Sequence, residues 1–169
     1  MQKSAFPAVV DERTRVVILG SLPGDRSLIE QKYYAHPSNA FWWLIGETIG
    51  IPSFASTPYS ERVEQILRRG VGLWDVVESA SRHGSLDSAI RDARHRDLLS
   101  FSNGFPELRA FAFNGGAAAR RARAQLYGQK HLKLIDLPSS SSAFARVSRE
   151  TKLTLWRDRL SPFIYIDRV

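Results

Sequence analysis

Between residues 20 and 46 the chain gathers Gly20, Pro23, Gly24, Tyr33, Tyr34, His36, Pro37, Asn39 and a Phe41-Trp42-Trp43 run. Turn formers, amides and aromatic rings in so short a stretch suit one ligand well, a nucleobase drawn out of its stack. Such a base needs an aromatic face, amide groups that read its edge, and a surface that holds the flanking phosphates. Tyr33, Tyr34 and Phe41 offer faces, Asn39 and Asn114 offer amides, and Ser139 to Ser142 offer hydroxyls and backbone N–H groups. Each has a plainer reading beside it. Phe41, Trp42, Leu44 and Ile45 also fit the core side of a helix, and Asn114 also fits a turn or helix cap at a strand end.

Other chemistries find less support. The loop after Gly20 lacks both G-x-x-x-x-G-K-[ST] and G-x-G-x-x-G, which argues against a nucleotide cofactor, and Ser21 is not centred between glycines as a nucleophile elbow requires. The chain has no cysteine, which excludes disulfides, thiolate nucleophiles, cysteine-ligated zinc and iron–sulfur clusters. Its four histidines, His36, His83, His95 and His131, are scattered without metal-ligand spacing, so no metal is expected. Lysine and arginine total 24 against 17 acidic residues, a net charge of +7 that suits a polyanion partner or simply a basic surface. Charges at Lys3, Asp11, Glu12 and Arg13 argue against a signal peptide, and no apolar run approaches the roughly 18 residues of a membrane span. A cytoplasmic protein is expected.

The elements that must position these groups show in the apolar pattern. Arg15 to Leu19, Leu108 to Phe113 and Leu132 to Leu137 read as buried parallel strands, with Gly72 to Val77 a fourth candidate that could equally start a helix. Helical patterns fit Asn39 to Ile49, Tyr59 to Arg69, Gly116 to Tyr127 and Ser148 to Leu160, with Ser148 placed as a cap. Strands alternating with helices predict an α/β layered fold over one domain, residues 1–169. Ligands in such folds gather beyond the carboxyl ends of the strands, where the richest loops lie: Gly20 to Asn39, Asn114 to Gly116 and Pro138 to Ser142.

Gly20-Ser21-Leu22-Pro23-Gly24 and Tyr33-Tyr34-Ala35-His36-Pro37, with Asn39, Phe41 and Trp42, resemble the first motif of the hypoxanthine-DNA (deoxyinosine) glycosylase branch of the uracil-DNA glycosylase superfamily. Gly72 to Val76, Gly84 to Ile90, Phe113 to Gly116 and Leu137 to Ser141 follow in the family's order, so the resemblance runs from about Val9 to Leu160. It implies a three-layer α/β/α sandwich around a mostly parallel four-stranded sheet. It further implies a monofunctional glycosylase of base excision repair that excises a deaminated base from DNA, hypoxanthine first and uracil second. DNA is then the partner, without cofactor, and the protein a monomer associated with the nucleoid when bound.

The resemblance also assigns roles. The asparagine matching Asn39 carries the catalytic amide, holding the water through its carbonyl; an amide cannot take up the proton itself at neutral pH. Tyr34 stacks on the base, Asn114 reads it, and backbone N–H groups around Ser21 and Ser139 hold the leaving base or phosphate. By their place in the sequence and not by the resemblance, the serine loop with Ser139, Ser140 and Ser141, and Arg146 because it follows that loop, are expected to contact DNA, and Phe144 is either a wedge or a core anchor of its loop. Hypoxanthine and uracil both present a carbonyl acceptor beside a ring N–H, whereas adenine and cytosine present an amino donor beside a ring nitrogen, so one amide can accept the first pair and refuse the second.

Three positions depart from relatives. Leu22 stands where mismatch-specific glycosylases carry a water-positioning asparagine, and Leu137 where the main uracil glycosylases carry a histidine. Ser142 replaces the usual proline of its own branch, which is expected to loosen the loop. Two other readings stand beside this one, a catalytically silent nucleic-acid-binding module and a small-molecule nucleoside hydrolase. No lysine is placed for Schiff-base chemistry, so strand cleavage is not expected.

Overall fold

The computed structural model describes residues 1–165; residues 166–169, the end of the expected 1–169 unit, lie outside the described residues. In chain order the main elements are β1 (Gln2–Ser4), β2 (Val16–Gly20), α1 (Asp25–Glu30), α2 (Phe41–Ile49), α3 (Tyr59–Arg68), β3 (Val71–Asp75), β4 (Val77–Ser81), β5 (Arg91–His95), α4 (Leu98–Asn103), β6 (Ala110–Asn114), α5 (Gly116–Arg123), β7 (Lys133–Leu137) and α6 (Arg149–Leu160). The expected four-stranded sheet is present, ordered β3-β2-β6-β7 with every pairing parallel.

Both faces of that sheet are covered, which is why its strands read as unbroken apolar runs. Successive residues point to opposite faces. Val16, Ile18, Val71, Leu73, Ala110 and Ala112 pack with Phe41, Leu44, Ile45, Ile66, Trp156 and Leu160 from α2, α3 and α6. Val17, Leu19, Trp74, Phe111 and Phe113 pack with Leu98, Ala118, Ala119 and Ala122 from α4 and α5. The result is the three-layer α/β/α sandwich.

Several boundaries move for local reasons. The helix expected from Asn39 begins at Phe41, because the Asn39 carbonyl accepts the Phe41 N–H at 2.9 Å and turns the chain just before it. The Gly116 helix gives way after Arg123 to a 3-10 turn, Ala124–Leu126. Ser148 caps α6 as expected, accepting the Thr151 N–H at 3.1 Å. The Gly72 to Val77 segment spans two strands: β3 ends at Asp75, and Val77 opens β4 of an antiparallel sheet ordered β1-β4-β5. That second sheet is invisible to apolar patterning, since β1 has three residues and β5 (Arg-Asp-Ala-Arg-His) is largely exposed. Leu22, Val77, Ala80 and Ile90 form its small core against the first loop.

Candidate active site

At the carboxyl edge of the parallel sheet opens a cleft of about 600 Å³, lined by Gly20 to Ser27, Asp75, Ser85 to Ser88, Asn114 to Ala117 and Ser139 to Phe144, together with Tyr34 and Asn39. The expected groups Ser21, Tyr34, Asn39, Asn114, Ser139, Ser140 and Ser141 thus meet in one place, brought there by the ends of β2, β6 and β7. Arg146 does not join them: it is exposed and outside the cleft wall. Following the serine loop in sequence does not bring it into the cleft wall.

The two tyrosines divide their work. Tyr34 lines the cleft with its ring stacked on Phe41, centroids 3.8 Å apart and planes 12° from parallel, and its backbone takes the left-handed region at φ 53°. An aromatic ring backed by a second ring is a firm platform for a planar ligand. Tyr33 also borders the cleft but is only 3 % exposed, sets its ring edge-on to Phe6 and donates its hydroxyl to the Pro7 carbonyl, which makes it structural support and not a face for a base. Phe41 and Trp42 are likewise core, the Trp42 indole N–H donating to the Tyr33 carbonyl at 3.0 Å.

Both amides are held in fixed orientation. Asn39 has one carbonyl lone pair engaged by the Phe41 N–H, leaving the other lone pair and the NH2 group. Asn114 donates from Nδ2 to Ser140 Oγ and accepts from the Ser140 N–H through Oδ1, both at 2.8 Å. Each of its amide atoms keeps one further hydrogen-bonding valence, an N–H on Nδ2 and a lone pair on Oδ1.

Asp75 is the group that sequence reasoning missed. It ends β3 directly beside Gly20 of β2, is 3 % exposed, lines the cleft, and leaves Oδ2 buried with no hydrogen-bond partner among the described residues. Burial lifts its carboxyl to about 7; Arg96 and Arg82 oppose the rise, and Asp87 adds to it. The Tyr34 phenol is held above its usual range by burial and then by Asp75, against a smaller pull from the Asn114 amide, and its hydroxyl meets no partner at hydrogen-bond geometry among the described residues. Gly20 makes room for both: a Cβ there would lie 2.7 Å from Asp75 Oδ1 and 3.2 Å from the Tyr34 hydroxyl oxygen. The signal in the sequence was an acid closing the otherwise apolar Val71-Gly72-Leu73-Trp74 strand.

The serine loop is pinned and not loosened. Trp156 donates its indole N–H to the Pro138 carbonyl at 3.0 Å, Lys152 reaches the Ser141 carbonyl at 3.3 Å, and the Ala40 N–H meets the Ser140 carbonyl at 3.0 Å. Ser142, standing in place of proline, brings its hydroxyl within 3.0 Å of the Ser38 hydroxyl and so ties this loop to the first one. Lys152 is 6 % exposed, and burial draws its pKa down.

This architecture matches a known family model, the Uracil DNA glycosylase superfamily, over residues 7–159. The chain belongs to the uracil DNA glycosylase superfamily. Two similar proteins are each named hypoxanthine DNA glycosylase. The one from Methanosarcina acetivorans is 40% identical over 149 residues, 88% of this chain and 92% of the relative. The one from Methanosarcina barkeri is 37% identical over 161 residues, 94% of this chain and 98% of the relative. A solution NMR structure of a Methanosarcina acetivorans protein assigned by name to the uracil DNA glycosylases superposes with a TM-score of 0.81 at 38% identity, covering 94% of this chain and 98% of that one.

Proposed function

We propose that the protein is a DNA glycosylase that everts hypoxanthine from DNA into the cleft and hydrolyses its N-glycosidic bond, with uracil as a second substrate. The observation that carries this reading is the convergence of a ring-backed tyrosine, two oriented amides and a buried carboxyl in one cleft of about 600 Å³.

Tyr34 stacks on the base. Asn114 faces the base edge with an amide valence that Ser140 leaves free, and Asp75 supplies a further polar group in the cleft wall. The remaining lone pair of the Asn39 carbonyl orients a water toward C1′. As the C1′–N9 bond breaks, its electron pair leaves on the base; the water oxygen bonds to C1′, and its proton passes through solvent to the departing base. The Ser139 N–H and the serine-loop hydroxyls hold the adjacent phosphate, and donors fixed in place before the reaction are the effective ones. All these groups come from one chain, so a monomer suffices, and the protein works on the nucleoid with deaminated DNA as its partner.

A nucleoside hydrolase would use the same chemistry without a polyanion. Release of hypoxanthine from a deoxyinosine oligonucleotide should weaken steeply between 50 and 200 mM salt, on the order of tenfold or more, with free deoxyinosine a poor substrate. Salt-insensitive turnover of the free nucleoside would replace the DNA reading with the small-molecule one.

A further inference from the structure

Three acids line the cleft, and their surroundings differ. Asp25 pairs with Lys3 and Asp87 is exposed, whereas Asp75 is shielded from water and meets no ion-pair partner among the described residues. The two cations that act on it are engaged elsewhere. Arg82 donates to the Leu22 carbonyl at 3.1 Å and to that of Pro23. Arg96 donates to the Phe6 carbonyl at 2.9 Å, its guanidinium carbon 4.5 Å from the centre of the Trp74 ring. Asp87 adds a like charge from the loop between β4 and β5, and the Tyr33 and Tyr34 phenols are held neutral by burial. A buried carboxylate that no cation neutralises is costly, so Asp75 keeps its proton up to about pH 7.

That proton lies beside the platform for the base. A Cβ on Gly20 would meet both Asp75 Oδ1 and the Tyr34 hydroxyl oxygen, so carboxyl and phenol close on the same point. Phe41 covers one face of the Tyr34 ring, and a purine laid on the other face reaches the end of the ring where the carboxyl lies. The amides of Asn39 and Asn114 and the serine hydroxyls have no proton to give at neutral pH. A departing purine needs one, because a ring that leaves neutral leaves more readily than its anion.

We propose that Asp75 is the general acid for the departing purine, giving its proton to N7 of hypoxanthine as the C1′–N9 bond breaks. The proposal rests on the glycosylase reading above and names the group that hands the base its proton. The Asp75 O–H bond breaks and the N7–H bond forms, while the C1′–N9 electron pair moves into the imidazole ring, which leaves neutral. The water oxygen bonds to C1′, and the proton it loses returns through solvent to the carboxylate. Uracil offers no comparable basic ring nitrogen and leaves as an anion spread over two carbonyls, so it draws less on the acid. A carboxyl kept neutral by its site thus favours the purine.

The test measures single-turnover release at saturating enzyme between about pH 5.5 and pH 9, from a deoxyinosine strand and a deoxyuridine strand, for wild type and Asp75→Asn. Wild type should release hypoxanthine at a steady rate below about pH 7 and lose about tenfold per pH unit above it. Asp75→Asn should be at least about 100-fold slower on deoxyinosine with a flat profile, and its loss on deoxyuridine at least about tenfold smaller. A wild-type profile without that fall, which can be read whether or not the variant folds, would overturn the assignment and leave the glycosylase reading intact. So would an equal loss on both bases, which marks a packing role, or a fall that persists in Asp75→Asn, which places the proton on another group such as His36. A wild type that releases neither base would overturn the proposal and the glycosylase reading together.

Discussion

Asp75 keeps a carboxyl in the cleft floor between Gly20 and the tyrosines, and its charge links site and stability. Burial raises it from an ordinary carboxylate value to about 7, Arg96 and Arg82 opposing and Asp87 assisting. Between those two values the native state binds a proton that the unfolded state has released, so stability falls as pH rises through the window. Relative to Asp75→Asn, which has no proton to lose, wild type should lose on the order of 4 kcal/mol between pH 4 and pH 8. Urea unfolding of both proteins across that range measures the difference, and parallel pH profiles would contradict the buried-acid account. Asn39, Tyr34 and Asn114 were legible in the sequence as groups gathered near the ends of apolar runs, where the cleft opens. Asp75 was not, since an acid closing a strand reads equally as its solvated exit. Lys152 on α6 was hidden for the same reason: a helical lysine reads as solvent-facing, and only tertiary packing brings it to the Ser141 carbonyl.

At the scale of elements, α6 holds the serine loop in place. Trp156 is fully buried in the core while its N–H is bonded to the Pro138 carbonyl. Trp156→Phe keeps most of the buried ring but removes that donor, and should cost about 1–2 kcal/mol of stability. Hydrogen exchange should show the amides of residues 139–142 losing protection while those of β2 keep theirs; unchanged protection in the loop would contradict its dependence on α6. The sheet and the four longer helices were readable because buried strands and 3.6-residue periodicity leave strong patterns. The β1-β4-β5 sheet, α1 and α4 were not, as three-residue strands, exposed strands and six-residue helices carry no period to detect.

For the whole molecule, the net charge of +7 drew attention to a polyanion, and the layered fold gathered loops from distant parts of the chain into one cleft. Sequence order alone could not place Arg146 away from that cleft or Asp75 within it. The central claim is that this cleft breaks a glycosidic bond with a water held by Asn39. It is tested most directly by single-turnover release of hypoxanthine from a labelled deoxyinosine oligonucleotide, abasic sites being revealed by alkali, with wild type and Asn39→Ala and with DNA affinity measured in parallel. Release by wild type that falls at least about 100-fold in Asn39→Ala, at retained affinity, is the predicted result. Binding without release by wild type, or a variant as fast as wild type, would contradict it.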